Sequence, residues 1–256
     1  MLNNLAERAW SPLPRPGTRV LLTGAAGGLG QALSVALTEV GAHVVGVDRV
    51  SETTVEGQVI VKADLTKGDE VGKAVADLAA RLGGIDAFVG AAGVVDTIHR
   101  AGAFPAEAFQ ADVEANLTGQ FRVAQAAYPY LREAENAAIA FVTSQAGLDG
   151  LPGQASYAAA KAGLVGLTAT LATEWVGEGI LVNAVAPGVF DTPKVLAMPA
   201  TARERMLAGV PMHRTGTLDE VVGPILFLIS PAAGYVTGRT LRLDGGAGLA
   251  LTGLFR

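Results

Sequence analysis

The sequence predicts an α/β protein built on a doubly wound sheet of seven parallel strands, and three observations predict it. Most of seven short runs are nearly continuous in apolar residues, the pattern of strands covered on both faces. Longer stretches with helical spacing lie between them, so strand and helix alternate along the chain. A glycine-rich turn, TGAAGGLG at 23–30, joins the first strand run to the first helical run, and such sheets bind ligands at the carboxyl ends of their strands.

The elements follow in order. MLNNLAERAWSPLPRPG opens the chain; Pro12, Pro14 and Pro16 deny it a helix, and it has no apolar run of the signal-peptide kind. Residues 1–17 are therefore expected to form a short arm, and the protein to be cytoplasmic. RVLLT (19–23) is the first strand and QALSVALTEVGA the first helix. HVVGVD (43–48) and QVIVKAD (58–64) are the next strands, followed by the helix DEVGKAVADLAARLG and the strand DAFVGAA (86–92). A helix over 112–133, the strand AIAFVTS (138–144), a helix over 157–175 and the strand ILVNAVA (180–186) come next. Thr217-Leu218-Asp219-Glu220 matches a capping box, so a helix opens there. Pro224 inside it removes a hydrogen bond to the Glu220 carbonyl, which predicts a kink. TLRLD (240–244) is the last strand. With no repeat and no low-complexity segment, the chain reads as one continuous unit, and 256 residues can bury one large core.

Composition excludes several classes. There is no cysteine, hence no disulfide framework, thiolate metal cluster or cysteine nucleophile. The net charge is −5 and the basic residues are scattered, so no electrostatic footprint for nucleic acid or an anionic membrane exists. The most apolar late stretch, VVGPILFLI at 221–229, is far shorter than the roughly 20 residues that span a bilayer. A small-molecule substrate is the partner left.

In the first turn, Gly24, Gly28 and Gly30 allow a sharp bend and close approach of the backbone to a pyrophosphate, while the helix start offers free N–H groups to the anion. The second strand ends in Asp48, where a carboxylate can accept hydrogen bonds from an adenosine ribose and would repel a 2′-phosphate. SYAAAK, at 156–161, sets Tyr157 one helical turn ahead of Lys161. A phenol's reference pKa of about 10 is too high for a base near neutrality, and an ammonium held nearby is expected to lower it.

The spacing T-G-x-x-x-G-x-G, with SYAAAK, resembles the short-chain dehydrogenase/reductase family over about residues 18–247. The resemblance includes Asp64-Leu65, Ala92-Gly93, Asn116 in EANLTG, Ser144 in VTSQAG, NAVAPG at 183–188 with Thr192, and Asp244-Gly245-Gly246. It implies a single Rossmann-type catalytic domain over 18–256, with Asn116, Ser144, Tyr157 and Lys161 as catalytic residues. Tyr157 would exchange a proton with the substrate oxygen, Ser144 would orient that oxygen, and Lys161 would hold the nicotinamide ribose. Asn116 would position a water leading to solvent. The cofactor site it implies comprises Gly24, Gly28, Leu29, Gly30, Asp48, Arg49, Asp64, Leu65, Ala92, Gly93, Tyr157, Lys161, Pro187, Gly188, Val189 and Thr192, with no metal.

One departure stands out: where the family usually shows Asn-Asn-Ala-Gly, this chain has Gly90-Ala91-Ala92-Gly93, so the hydrogen bonds of two asparagine side chains must be replaced or absent. Gly27 in the turn and Asp48 at the strand end favour NAD; Arg49 is the one contrary sign, since a guanidinium can bind a phosphate. The segment 189–210 is expected to close over the substrate, a secondary alcohol or ketone, in a largely apolar pocket, with His99 and Arg100 exposed nearby. The same scaffold serves 3-oxoacyl-thioester reductases, against which Asp48 argues because reductive biosynthesis usually draws on NADPH. A catalytically idle dinucleotide sensor would not need the set Asn116, Ser144, Tyr157 and Lys161. Apolar residues on more than one face of the helices at 112–133 and 157–175 point to a homo-oligomer, and the resemblance implies a tetramer or dimer through them.

Overall fold

In the computed structural model, which describes residues 10–95 and 97–249, seven parallel strands form one sheet in the order β3-β2-β1-β4-β5-β6-β7. They are β1 Arg19–Thr23, β2 His43–Asp48, β3 Val59–Lys62, β4 Ala87–Gly90, β5 Ala137–Val142, β6 Ile180–Pro187 and β7 Thr240–Leu243. The helices are α1 Gly28–Glu39, α2 Gly68–Leu82, α3 Ala106–Val113, α4 Gly119–Leu131, α5 Gln145–Asp149, α6 Ala155–Trp175, α7 Pro193–Leu196, α8 Ala200–Leu207 and α9 Leu218–Leu228. The chain winds outward from β1 to β3, then returns to pair β4 on the other side of β1. That reversal opens a crevice at the carboxyl edge between β1 and β4.

The side-chain period of two divides each strand between two cores. Leu21, Val45, Phe88, Ile139 and Phe141 face α2, α4 and α6, whereas Val20, Leu22, Val89, Ala138 and Ala140 face α1 and α9. Both faces are covered, which is why the strand runs read as nearly continuous apolar sequence.

All seven predicted strands form, several of them shorter than expected. β3 and β4 stop two residues early, because the backbone after each leaves the sheet to line the crevice. The helix expected from Asp112 begins at Ala106 and passes through a π-helical segment, Glu114–Thr118, between α3 and α4. α6 starts at Ala155, and α5, α7 and α8 were not anticipated. The capping box forms, with Thr217 Oγ1 accepting from the Glu220 N–H and Glu220 accepting from the Thr217 N–H. α9 continues through Pro224 to Leu228, so the proline does not end it. Residues 1–9 of the arm lie outside the described residues. The rest of it docks: Ser11 is buried, its carbonyl accepts from Ala232, and Leu13 packs on the α1–α9 core.

Candidate active site

A cleft of about 580 Å³ runs along the carboxyl edge from the end of β2, past β1 and β4, to the ends of β5 and β6. Its floor is the turn between β1 and α1. Gly24 has φ +71°, and a Cβ there would lie 2.8 Å from the Ala92 backbone, so only glycine lets the turn after β1 pass this close to the chain after β4. A Cβ on Gly28 would meet nothing within 4 Å, leaving an open cradle at the first residue of α1. The N-terminus of α1 has no side-chain cap and no acidic residue in its first turn. Its N–H groups and dipole are therefore available to an anion, and a dinucleotide pyrophosphate fits this donor set. Leu29 and Gly30 line the same wall.

Asp48 lines the cleft, and its carboxylate also accepts from the Ala26 N–H at 3.1 Å and the Val50 N–H at 3.3 Å. It thus braces the glycine turn, a duty absent from the sequence reading. Arg49 beside it is exposed. Asp64 accepts from the Thr66 N–H and hydroxyl at 2.9 and 2.8 Å, and the N–H bond holds its carboxyl below the usual range. Leu65 follows on the cleft wall.

After β4, where the chain has Gly90-Ala91 and no asparagine, side chains from elsewhere hold the backbone. Gln120, fully buried in α4, donates to the Ala92 carbonyl at 2.7 Å and accepts from the Thr23 hydroxyl at 3.2 Å, while that hydroxyl accepts from the Ala92 N–H. A Cβ on Gly90 would lie 2.8 Å from Gln120 Oε1, so the glycine makes room for the glutamine. Gln120→Ala is expected to cost about 1–3 kcal/mol by leaving the Ala92 carbonyl unpaired, and to weaken dinucleotide binding by loosening the Ala92-Gly93 wall. An unchanged denaturation midpoint would show that the turn does not depend on it.

At the far end of the cleft, Ser144 caps α5, its Oγ accepting from the Ala146 N–H at 3.1 Å. The first turn of α5 carries Gly147, where a Cβ would lie 2.6 Å from the Lys161 backbone. That close approach brings α5 against α6, and with it the Ser144 hydroxyl into hydrogen-bonding contact with Tyr157. Nothing in the local sequence marks Gly147 for this contact, since Lys161 lies on another helix. The Lys161 Nζ lies 5.7 Å from the Tyr157 ring centre and donates to the Val142 carbonyl at 2.8 Å.

The expected lowering of the phenol pKa by Lys161 is not what these surroundings produce. Burial pushes Tyr157 up, opposed by the Ser144 hydrogen bond. Burial pulls Lys161 itself down to about 8. Lys161 is 2% exposed, with a backbone carbonyl as its bonded partner and no carboxylate against it among the described residues.

Three expected residues do not line this cleft. Asn116 is fully buried in the π-helical segment beneath it. Its Oδ1 accepts from the Val94 N–H at 2.8 Å, and its Nδ2 donates to the carbonyls of Val94 and Asp112 at 3.0 and 2.9 Å. Both amide hydrogens are used, so the side chain locks the loop after β4 and cannot donate to a water. Val189 faces a second cavity, because a bridge from Phe190 to Gly216 turns the chain after β6. The Thr192 hydroxyl accepts from the Val195 N–H at the start of α7. Ala92, Gly93, Pro187 and Gly188 do line the cleft. His99 and Arg100 are exposed, as are Leu196 and Met198 in the segment 189–210.

A family model described as enoyl-(acyl carrier protein) reductase matches residues 24–248. The chain is similar to the 3-oxoacyl-[acyl-carrier-protein] reductase FabG of Thermotoga maritima, 36% identical over 241 residues that cover 90% of this chain and 97% of that protein. It is similar to the cis-4-hydroxycyclohexanecarboxylate dehydrogenase of Sinomonas cyclohexanicum, 36% identical over 235 residues, 88% of this chain and 94% of the other. Among solved structures, levodione reductase aligns with a TM-score of 0.86 at 31% identity, covering 92% of this chain and 99% of that chain. No helix among the described residues is long and apolar enough to cross a membrane.

Proposed function

The chain belongs to the short-chain dehydrogenase/reductase family of oxidoreductases, and we propose that it interconverts a secondary alcohol and its ketone with NAD, using Tyr157 as acid and base. When bound, the nicotinamide dinucleotide supplies the site that takes or gives the hydride. Gly24, Gly28, Leu29 and Gly30 would hold its pyrophosphate, and Asp48 its adenosine ribose. Arg49, Asp64, Leu65, Ala92 and Gly93 would flank the adenosine side, and Lys161, Pro187 and Gly188 the nicotinamide side. Tyr157 passes a proton to or from the substrate oxygen, which Ser144 orients by hydrogen bonding. Asn116 holds the loop that backs this end through Val94.

One observation carries the reading: a lysine buried beside a half-buried tyrosine, with no carboxylate among the described residues to neutralise it. The fall from 10.5 to about 8 corresponds to a cost on the order of 3 kcal/mol near neutral pH. One hydrogen bond to the Val142 carbonyl is a small return for such a cost, which makes an idle sensor a poor account of the site. Lys161→Met should therefore raise stability by about 1 kcal/mol or more near neutrality while abolishing most turnover. Because the folded-state value is depressed for a cation, the cost is fully present below about 8 and disappears as pH rises toward 10.5. The stability gain should shrink over that window, and thermal melts of both proteins across it provide the check.

The names of the relatives support a second reading, a reductase of 3-oxoacyl thioesters. A panel of cyclic and open-chain secondary alcohols with NAD, and of ketones and 3-oxoacyl thioesters with NADH and NADPH, separates the two. Turnover of alcohols with NAD supports the first; turnover confined to thioesters with NADPH replaces it.

A homotetramer is expected. Ala159, Ala162, Gly166 and Ala169 lie exposed along α6, and Phe121 of α4 is 37% exposed. Small residues let two helices approach closely. Light scattering at micromolar concentration should give a multiple of the chain mass, and a monomer would refute the assignment.

A further inference from the structure

Asp112, at the end of α3, lines the cleft yet is only 8% exposed. Its Oδ2 accepts from the fully buried Ser156 hydroxyl at 2.5 Å and its Oδ1 from the Thr97 hydroxyl at 3.1 Å. Its main-chain carbonyl accepts from Asn116 Nδ2 at 2.9 Å. Three parts of the site therefore meet at one residue: the first turn of α6, the loop after β4, and the π-helical segment. Ser156 immediately precedes Tyr157. The first turn of α6 has no side-chain cap and no acidic residue of its own, so a carboxylate held there by another helix complements the positive end of a 21-residue helix. Gly147 presses on the same helix one turn further along, through the Lys161 backbone. The tyrosine is thus flanked by a steric contact on the α5 side and by the Asp112 clamp on the α3 side.

We infer that Asp112 is a positioning residue, which sets Tyr157 against the loop that walls the reactive end by sharing its carboxylate between Ser156 and Thr97. This rests on the reading of Tyr157 as the acid and base. A displacement of about 1 Å at a reacting group can cost a hundredfold in rate, whereas the pyrophosphate cradle at α1 belongs to other elements. Loss of the clamp should therefore fall on turnover and spare dinucleotide affinity. Asparagine in its place keeps one acceptor and can offer an N–H to a hydroxyl oxygen, so it should rescue in part.

The test uses Asp112→Ala, Asp112→Asn, Ser156→Ala and the double alanine variant. NADH is titrated by fluorescence, kcat and KM are measured with an alcohol turned over by the native enzyme, and hydrogen exchange is followed over 94–99 and 155–161. Asp112→Ala and Ser156→Ala are each expected to lower kcat about tenfold or more, with the NADH dissociation constant within about threefold. Exchange should accelerate in both segments, Asp112→Asn should lie between, and the double variant should be no worse than Asp112→Ala. Turnover in Asp112→Ala within about twofold of native, losses that multiply in the double variant, or NADH affinity falling in step with kcat would each overturn the assignment. Tyr157→Phe separates the premises: activity retained there removes the acid and base reading, whereas activity lost there but kept in Asp112→Ala removes only the clamp. If Asp112→Ala fails to fold, Ser156→Ala and Asp112→Asn decide. If no alcohol is turned over, hydrogen exchange decides the clamp alone, since unchanged exchange in Ser156→Ala overturns it.

Discussion

Tyr157→Phe is expected to keep the fold and its NADH affinity while losing at least a hundredfold in turnover, the usual scale for removing a general acid and base. Phenylalanine preserves the ring and its packing and deletes one oxygen. Ser144 loses that partner but still accepts from the Ala146 N–H. Neither Lys161 nor Asn116 is placed to substitute: Lys161 points at the Val142 carbonyl, and both amide hydrogens of Asn116 are committed. Burial holds the phenol above its ordinary value. Alcohol oxidation, which needs the proton removed, should therefore rise with pH through the alkaline range, and ketone reduction should fall. Steady-state rates in both directions, native against variant, are the measurement. A variant that keeps more than about a tenth of native turnover would assign the proton transfer elsewhere.

Asp48→Ser carries the second large effect. The carboxylate offers a ribose charge-assisted hydrogen bonds and sets a like charge against a 2′-phosphate. Serine removes the repulsion and leaves the exposed Arg49 to meet the phosphate. The ratio of catalytic efficiencies with NAD and NADP should swing toward NADP by about a hundredfold, each 1.4 kcal/mol being about tenfold. Because Asp48 also braces the Ala26 N–H, the absolute efficiency with NAD should fall further than ribose contacts alone would dictate. A native preference for NADP, or an unmoved ratio, would identify Arg49 as the determinant.

That Tyr157 and Lys161 share a helix face, that the first turn suits a pyrophosphate and that strands alternate with helices were all legible in the sequence. Each depends on residues within a few positions of one another, and local spacing determines which neighbours share a face or a turn. The capping box at Thr217 was readable for the same reason.

What only the tertiary structure decided lies between residues far apart in the chain. Gln120 holds the Ala92 carbonyl across 28 positions, because β4 and α4 pack together and Gly90 leaves space. Asp112 reaches Ser156 across 44 positions. Asn116 was recognisable as a site residue, but the partners of its side chain, Val94 and Asp112, were not. The phenol's expected lowering failed for the same cause. A sequence shows that an ammonium is near, whereas the burial that raises the phenol and lowers the ammonium depends on β5, α5 and α6 closing around both. Periodicity and turn chemistry are local and survive in the one-dimensional record; desolvation and long-range hydrogen bonding exist only once the chain has folded.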